Sequence, residues 1–268
     1  MKKLSKKDRI ILAVAGVALA IALCCQGWYY WPWFGGNIVR QNAKSTQLFI
    51  VEPYSINYPF DAICIENSSG LSKHFVCKLF GDIAVRTEYG NDNYSIRKWA
   101  DPIRLFISGT PDKEDLSVIQ EICDFLNDIP FFPGISIVDS EGNSNSVMNF
   151  FNDNEFNDWE RHRGIRGAQG LACLFFSDKG DIASAEIGIR NMEDRYTKTS
   201  VIWEELLQST GLKNDTMLYQ GTLFYNGDYN VPKATALDYV LLRLLYLPQL
   251  RSGMSYISCI PFVLYYLK

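Results

Sequence analysis

The chain has 268 residues, of which 47% are hydrophobic and 21% charged, and its formal net charge is −4. That length can bury a full core as one large domain or one domain with a small companion. The composition excludes a disordered or collagen-like chain. The mild negative balance, with no basic patch interleaved with aromatics beyond the N-terminus, argues against a nucleic-acid partner.

The N-terminus differs from the rest. Lys2, Lys3, Lys6, Lys7 and Arg9 form a basic tail over 1–9, and an apolar run over 10–25 follows, closed by Trp28, Tyr29, Tyr30, Trp31, Trp33 and Phe34. A spanning helix needs about 20 apolar residues. Residues 10–34 therefore read as a transmembrane anchor, with the basic end in the cytoplasm and the aromatic belt at the far interface. The remaining chain is then expected outside the cytoplasm, as the periplasmic or extracellular part of a single-pass protein of the cell membrane. A cleaved signal peptide competes with this reading, cut after Ala18-Leu19-Ala20 or Ala20-Ile21-Ala22.

Residues 35–47, opened by Gly35-Gly36, read as a linker. Residues 48–94 read as a β-rich extension, with apolar stretches at 48–51, 60–65 and 75–85 and a turn at Asn67-Ser68-Ser69-Gly70. The main domain spans 95–268. Strands are expected at 103–107, 135–138, 146–151, 171–176 (buried, from its continuous apolar run) and 182–189. A helix over 113–127 carries Leu116, Ile119, Ile122, Phe125 and Leu126 at helical spacing. A second helix, 201–210, is capped by Thr199 or Ser200 and ended by Gly211. A third, 237–246, starts with the capping pair Thr235 and Asp238 and stops before Pro248. The apolar segment 257–267 is too short to span a membrane and reads as core or a docked tail. Of seven cysteines, Cys64 and Cys77 are the most plausible disulfide pair in an exported domain, although sequence does not fix connectivity.

The segment from Trp203 to Asp215, WEELLQSTGLKND, holds the chemistry. Two histidines four apart on a helix share a face and hold zinc, while a glutamate beside the first polarises the metal-bound water. Here that spacing carries Glu204 and Gln208, with Glu205 in the glutamate's place, Gly211 at the turn and Asn214 at the third ligand place. Amide oxygens are weak zinc donors, and a single carboxylate does not replace two imidazoles. The two histidines of the chain, His74 and His162, lie at no ligand spacing from this helix. No metal and no cofactor is expected. Taken alone, such a helix reads as a solvated face.

The order of elements adds to the motif. A strand precedes the glutamate helix, and Gly221-Thr222-Leu223-Phe224-Tyr225 and the helical ALDYVLLRLLY follow it. This resembles the matrixin-type metzincins, with the ligand positions on Glu204, Gln208 and Asn214, the catalytic glutamate on Glu205 and the methionine of the Met-turn on Phe224. The chain is also similar to the bacterial domain-of-unknown-function family 2927 over roughly residues 95–255. That similarity rests on Trp99-Ala100-Asp101-Pro102-Ile103-Arg104, the run from Glu204 to Leu212 with Asn214-Asp215, and Leu244-Leu245-Tyr246-Leu247-Pro248 with Leu250 and Gly253-Met254. These resemblances imply an α+β, zincin-like domain: a mixed β-sheet with a backing helix, a central active-site-type helix and a C-terminal helix.

The function expected is that of a membrane-tethered pseudo-peptidase, binding a peptide, protein or envelope polymer without cutting it. Glu204, Gln208, Asn214, Asp215 and Phe224 line its cleft, and the edge of strand 171–176 adds a ligand strand. Two alternatives remain open. One is a metal-independent hydrolase in which Glu205 works with a second carboxylate such as Asp215, since Glu204 and Glu205 point about 100° apart on the helix. The other is an envelope scaffold whose glutamates are solvated.

Overall fold

The computed structural model describes residues 71–89, 94–227 and 231–267. Its centre is a five-stranded sheet in the order β2-β1-β3-β5-β4. The strands are β1 (Ile103–Gly109), β2 (Ile135–Ile137), β3 (Ser146–Phe151), β4 (Gly170–Phe176) and β5 (Ile182–Arg190). The pairs β1/β2, β1/β3 and β3/β5 are parallel. Only β4 runs antiparallel, at the edge beside β5. Parallel neighbours need crossovers, and of the six α-helices among the described residues the second and third lie between strands. The six are α1 (Lys73–Phe80), α2 (Lys113–Asn127), α3 (Asp153–His162), α4 (Arg195–Gln208), α5 (Ala236–Leu245) and α6 (Tyr256–Tyr266). The chain is thus α+β with a mixed sheet, as its sequence predicts.

The sheet has two unlike faces, because side chains alternate along a strand. Met148, Phe150, Ala185, Ile187 and Ile189 are buried on the face covered by α2 and α4. The opposite face carries Val147, Asn149, Phe151, Glu186 and Gly188, and α3 packs there. Gly188 admits α3 closely: a Cβ at this position would stand 2.6 Å from the Trp159 ring.

Helix α2 matches the predicted span and opens on a capping box between Asp112 and Asp115. Ile119, Ile122, Phe125 and Leu126 enter the core, whereas Leu116 is 42% exposed. Helix α5 likewise keeps its predicted Thr235–Asp238 capping box.

Three expectations are corrected. Residues 73–85 are helical rather than β: α1 passes into a π-turn, Gly81–Val85. Val76, Leu79, Phe80 and Ile83 are fully buried, and their spacing is one face of a helix, although the same apolar run also reads as a strand. Helix α4 begins at Arg195, capped by Asp194, rather than near 201. Its first turns have no apolar stripe and are held by charge instead. Lys198 Nζ lies 2.7 Å from Asp115 Oδ2, both groups buried, and Arg195 bridges Asp112 and Asp115. Strand β4 lies at the sheet edge, as the ligand-strand reading expects, and with Phe175 and Phe176 exposed it is not the buried strand that its continuous apolar run suggests. The tail over 257–267 forms α6 up to Tyr266, with Leu267 as its C-cap, and this helix packs against α1. The Cys77 thiol is free and buried beside the Tyr256 hydroxyl, 3.9 Å away, and Cys64 lies outside the described residues.

A clasp fixes the end of α4. Trp99 Nε1 donates to Ser209 O at 2.9 Å, and Tyr246 Oη donates to Thr210 O at 2.8 Å. Gly211 then turns the chain at φ +116, where a Cβ would stand 2.1 Å from Arg97 O. Among the described residues no helix is long and apolar enough to cross a membrane. The proposed anchor, 10–34, lies outside them.

Candidate functional site

The face of α4 that carries Glu204, Glu205 and Gln208 is not solvated: Glu205 and Gln208 are each 6% exposed, and Glu204 is half-buried. Two chain segments cover it. After Gly211 the chain returns with Asn214 and Asp215, and Gln208 Nε2 donates to Asp215 Oδ1 at 2.8 Å. The π-turn after α1 is stapled to this return. Asn214 Nδ2 donates to Asp82 O at 2.9 Å, Thr216 Oγ1 to Asp82 Oδ2 at 2.6 Å, and Lys213 Nζ to Val85 O at 3.2 Å. These bonds bring Glu88 and Tyr89 to the site. No local sequence signal marks this pair, because they lie more than a hundred residues from the helix they face.

Glu204, Glu205, Asp215 and Glu88 therefore act on one another, and all are harder to ionise than usual. Burial is the first cause in each case. Glu204 is raised well above the ordinary carboxyl range, next by Asp215 and then by Glu88. Asp215 is pushed up to about 7 by burial and Glu88, against the lowering effect of hydrogen bonds from Glu204 and Gln208. The hydrogen bond between the two carboxyls raises Glu204 and lowers Asp215, so the pair favours a proton on the Glu204 side. Glu88 is raised by burial and held back by a hydrogen bond from Tyr89, whose phenol is raised in turn.

Glu205 points to the edge strand. Its carboxyl is raised well above the usual range by burial and then by Glu204, Asp215 and Glu88, while the Ala172 N–H donates to it and opposes the rise. Oε1 lies over Gly170, where a Cβ would stand 2.7 Å away. Oε2 is buried without a hydrogen-bond partner among the described residues. The register explains the Ala172 bond. Arg190 N donates to Gln169 O, so hydrogen-bonded pairs alternate along β4/β5 and Ala172, opposite Ile187, lies in a non-bonded pair. Its N–H faces the open edge, and Glu205 caps it. Leu174, opposite Ala185, has the same orientation, so its backbone groups also face outward.

The remaining predicted residues fall on both sides of this picture. Asn214 anchors the π-turn. Phe224 is fully buried, and its carbonyl accepts from Thr216 N at 2.8 Å, so it is a core residue beneath the site rather than part of a cleft wall. His74 is exposed on α1, and His162 Nδ1 lies 2.6 Å from Asp158 O at the end of α3. The donor set does not fit zinc. At two ligand positions the side-chain amides use their N–H groups toward oxygen acceptors, and at the third the Glu204 carboxyl is hydrogen-bonded to Asp215, whereas zinc selects imidazole and thiolate.

The family described as protein of unknown function, DUF2927, matches residues 73–263. The chain belongs to this family. The DUF2927 match begins at the first residue of α1 and ends within α6, so it includes the 73–94 segment that sequence reading sets apart. The buried residues of α1 belong to the same core as those of α2, α4 and α5, which agrees with that extent. No curated protein matches the chain.

Proposed function

We propose that this DUF2927 protein is a single-pass membrane protein whose domain, outside the cytoplasm, is a zincin-like pseudo-peptidase. It binds an extended peptide or envelope polymer along β4 and does not cut it through zinc. The observation that carries this reading is that Glu204, Gln208 and Asn214, at the three ligand positions, are each engaged in protein hydrogen bonds. The element order supports the scaffold: a mixed sheet, the backing helix α2, a glutamate helix following the last strand, a glycine turn and the closing helix α5. The outward backbone groups of Leu174, flanked by exposed Phe175 and Phe176, suit addition of a ligand strand.

Metal analysis of the purified protein together with a peptide-binding screen tests this. Sub-stoichiometric zinc with peptide binding that is lost on Leu174→Pro is the expected result. Stoichiometric zinc and peptide cleavage, both abolished by Glu205→Gln, would refute it. Protease accessibility in intact spheroplasts tests the topology, with the domain digested and the first residues protected.

One observation favours a second reading. Burial and Glu88 push the Asp215 carboxyl up to about 7, and Glu204 beside it is raised further from the ordinary range by burial and Asp215, which is what an acid–base pair requires. Hydrolysis of cell-wall fragments that survives chelators and is lost in both Asp215→Asn and Glu205→Ala would make the protein a metal-independent hydrolase.

A further inference from the structure

Away from the carboxyl cluster, three segments line an open cavity of about 410 Å³: the loop before β1 with Lys98, the β4–β5 turn with Lys179 and Asp181, and the chain after α5 with Leu250, Arg251 and Ser252. We infer that this cavity binds the phosphate group of a small phosphorylated molecule.

The charge is the first argument. Three cations and one carboxylate line the cavity, an excess of two positive charges in a chain whose net charge is −4. A phosphate monoester carries about two negative charges at neutral pH, so it matches this excess better than a carboxylate does.

The placement of Lys98 is the second. Its ammonium approaches the carbonyl oxygens of Leu247 at 3.2 Å and Leu245 at 3.5 Å and lies 5.7 Å from the Tyr246 ring centroid. These partners are neutral. By contrast, Lys198 is neutralised by Asp115 at 2.7 Å, and no carboxylate among the described residues stands at that range from Lys98. Burial pulls the Lys98 ammonium down to about 8, with Asp181 opposing. Asp181 and Tyr246 face it, and Lys179 and Arg251 share the cavity wall. A half-buried ammonium with no carboxylate in direct contact gains most from an anion brought into the same low-dielectric space.

The frame is the third. The Ser252 hydroxyl accepts from Lys98 N at 3.3 Å, Ile182 N donates to Lys98 O at 3.0 Å, and Arg97 Nη1 donates to Gly180 O at 3.1 Å. These bonds tie the three segments together, so the backbone that carries the cations is fixed before a ligand arrives. Pro248 and Leu250 supply an apolar wall, which suits the organic part of a phosphate ester. The volume falls in the range of small-ligand sites.

Lys98 also neutralises the carboxyl end of α5, and that role alone accounts for its two carbonyl contacts. The experiment must therefore separate capping from binding. The full chain in detergent is titrated calorimetrically with inorganic phosphate and with glycerol 3-phosphate, and in parallel is tested on nanodiscs containing phosphatidic acid. Arg251→Ala and Lys179→Ala change exposed side chains and leave the fold intact. Saturable binding of the soluble phosphates is expected, weakened about tenfold or more by either variant. Binding near pH 8 takes up protons, because the anion restores the charged form of Lys98; the signal is a binding enthalpy that depends on the buffer's ionisation enthalpy. Binding to nanodiscs that is lost in the same variants, without binding of soluble phosphates, would place the phosphate on a lipid headgroup and keep the site. No saturable binding to any probe, or binding that both variants leave unchanged, overturns the inference.

Discussion

Replacing Asp215 by Asn tests whether the carboxyl cluster is charged against its own stability. Burial and Glu88 move the Asp215 carboxyl from 3.8 to about 7. At 1.36 kcal/mol per tenfold change in proton affinity, the ceiling on its pH-dependent contribution is about 4 kcal/mol. Asp215 is only half-buried, so solvent screening reduces this to about 2 kcal/mol. The sign follows from linkage. A carboxyl whose folded value is raised binds more protons folded than unfolded. Its stabilisation is complete below about pH 4 and is lost as pH rises through about 7. Glu204 and Glu205 are shifted in the same direction, so the wild-type protein loses stability between pH 5 and pH 8. Asn is isosteric with Asp: its oxygen still accepts from Gln208, and its amide can donate to Glu204. Urea unfolding of the full chain in detergent, followed by tryptophan fluorescence at pH 5, 6, 7 and 8, measures the result. Asp215→Asn should equal or slightly trail wild type at pH 5 and exceed it by about 1–3 kcal/mol at pH 8, with a flatter pH dependence. Equal destabilisation at pH 5 and pH 8, or an unchanged slope, would refute the reasoning.

Three further outcomes use the same unfolding assay. Glu205→Gln keeps the shape and removes the ionisable group, so its stability should match wild type within about 1 kcal/mol at pH 5 and exceed it at pH 8. Gly211→Ala meets both a positive φ and the Arg97 carbonyl at 2.1 Å, and should cost about 2–3 kcal/mol, read as a lower urea midpoint at unchanged m-value. Asp115→Ala leaves the buried Lys198 ammonium without its 2.7 Å partner and should cost about 3–5 kcal/mol. The double variant Asp115→Leu with Lys198→Met should recover most of that loss.

What the sequence made legible followed from local pattern. The span of α2, the capping box of α5 and most of the sheet strands could be read because their apolar spacing and caps lie within one element. The misreadings come from places where distant residues decide. The first turns of α4 have no apolar stripe, and their helical state depends on Asp112 and Asp115, some eighty residues earlier. The 75–85 run suits a strand as well as a helix, and only packing of Val76, Leu79, Phe80 and Ile83 into the core selects the helix. At the site, the spacing of Glu204, Glu205 and Gln208 picked out the helix face, and Asp215 was named as a second carboxylate. Glu88 and Tyr89 were out of reach, because the bonds that deliver them run from Asn214 and Thr216 to Asp82. Phe224 is placed at the cleft only by analogy with a turn, and its side chain belongs to the buried core.

The energetics of the cluster bear on why it exists. A helix face that needed only to be covered would be more stable with Leu or Met at Glu205, because a buried carboxyl is favourable only in its neutral form, and here Oε2 has no hydrogen-bond partner among the described residues. Glu204 and Asp215 add a second cost, since burial and their neighbouring carboxyls oppose the ionisation of both. Capping the Ala172 N–H does not require an acid, because a glutamine oxygen would accept the same bond. A solvated-face scaffold is therefore the reading least compatible with the arrangement: the glutamates are not solvated, and they lower stability where they stand. Residues kept against stability and against local sequence preference are the expected mark of a working site. Because the cluster reaches the open edge of the sheet through the Glu205–Ala172 bond, occupation of that edge and the protonation of Glu205 must influence each other. A strand that competes for the Ala172 N–H removes the bond that favours ionised Glu205, and so raises the affinity of Glu205 for its proton further.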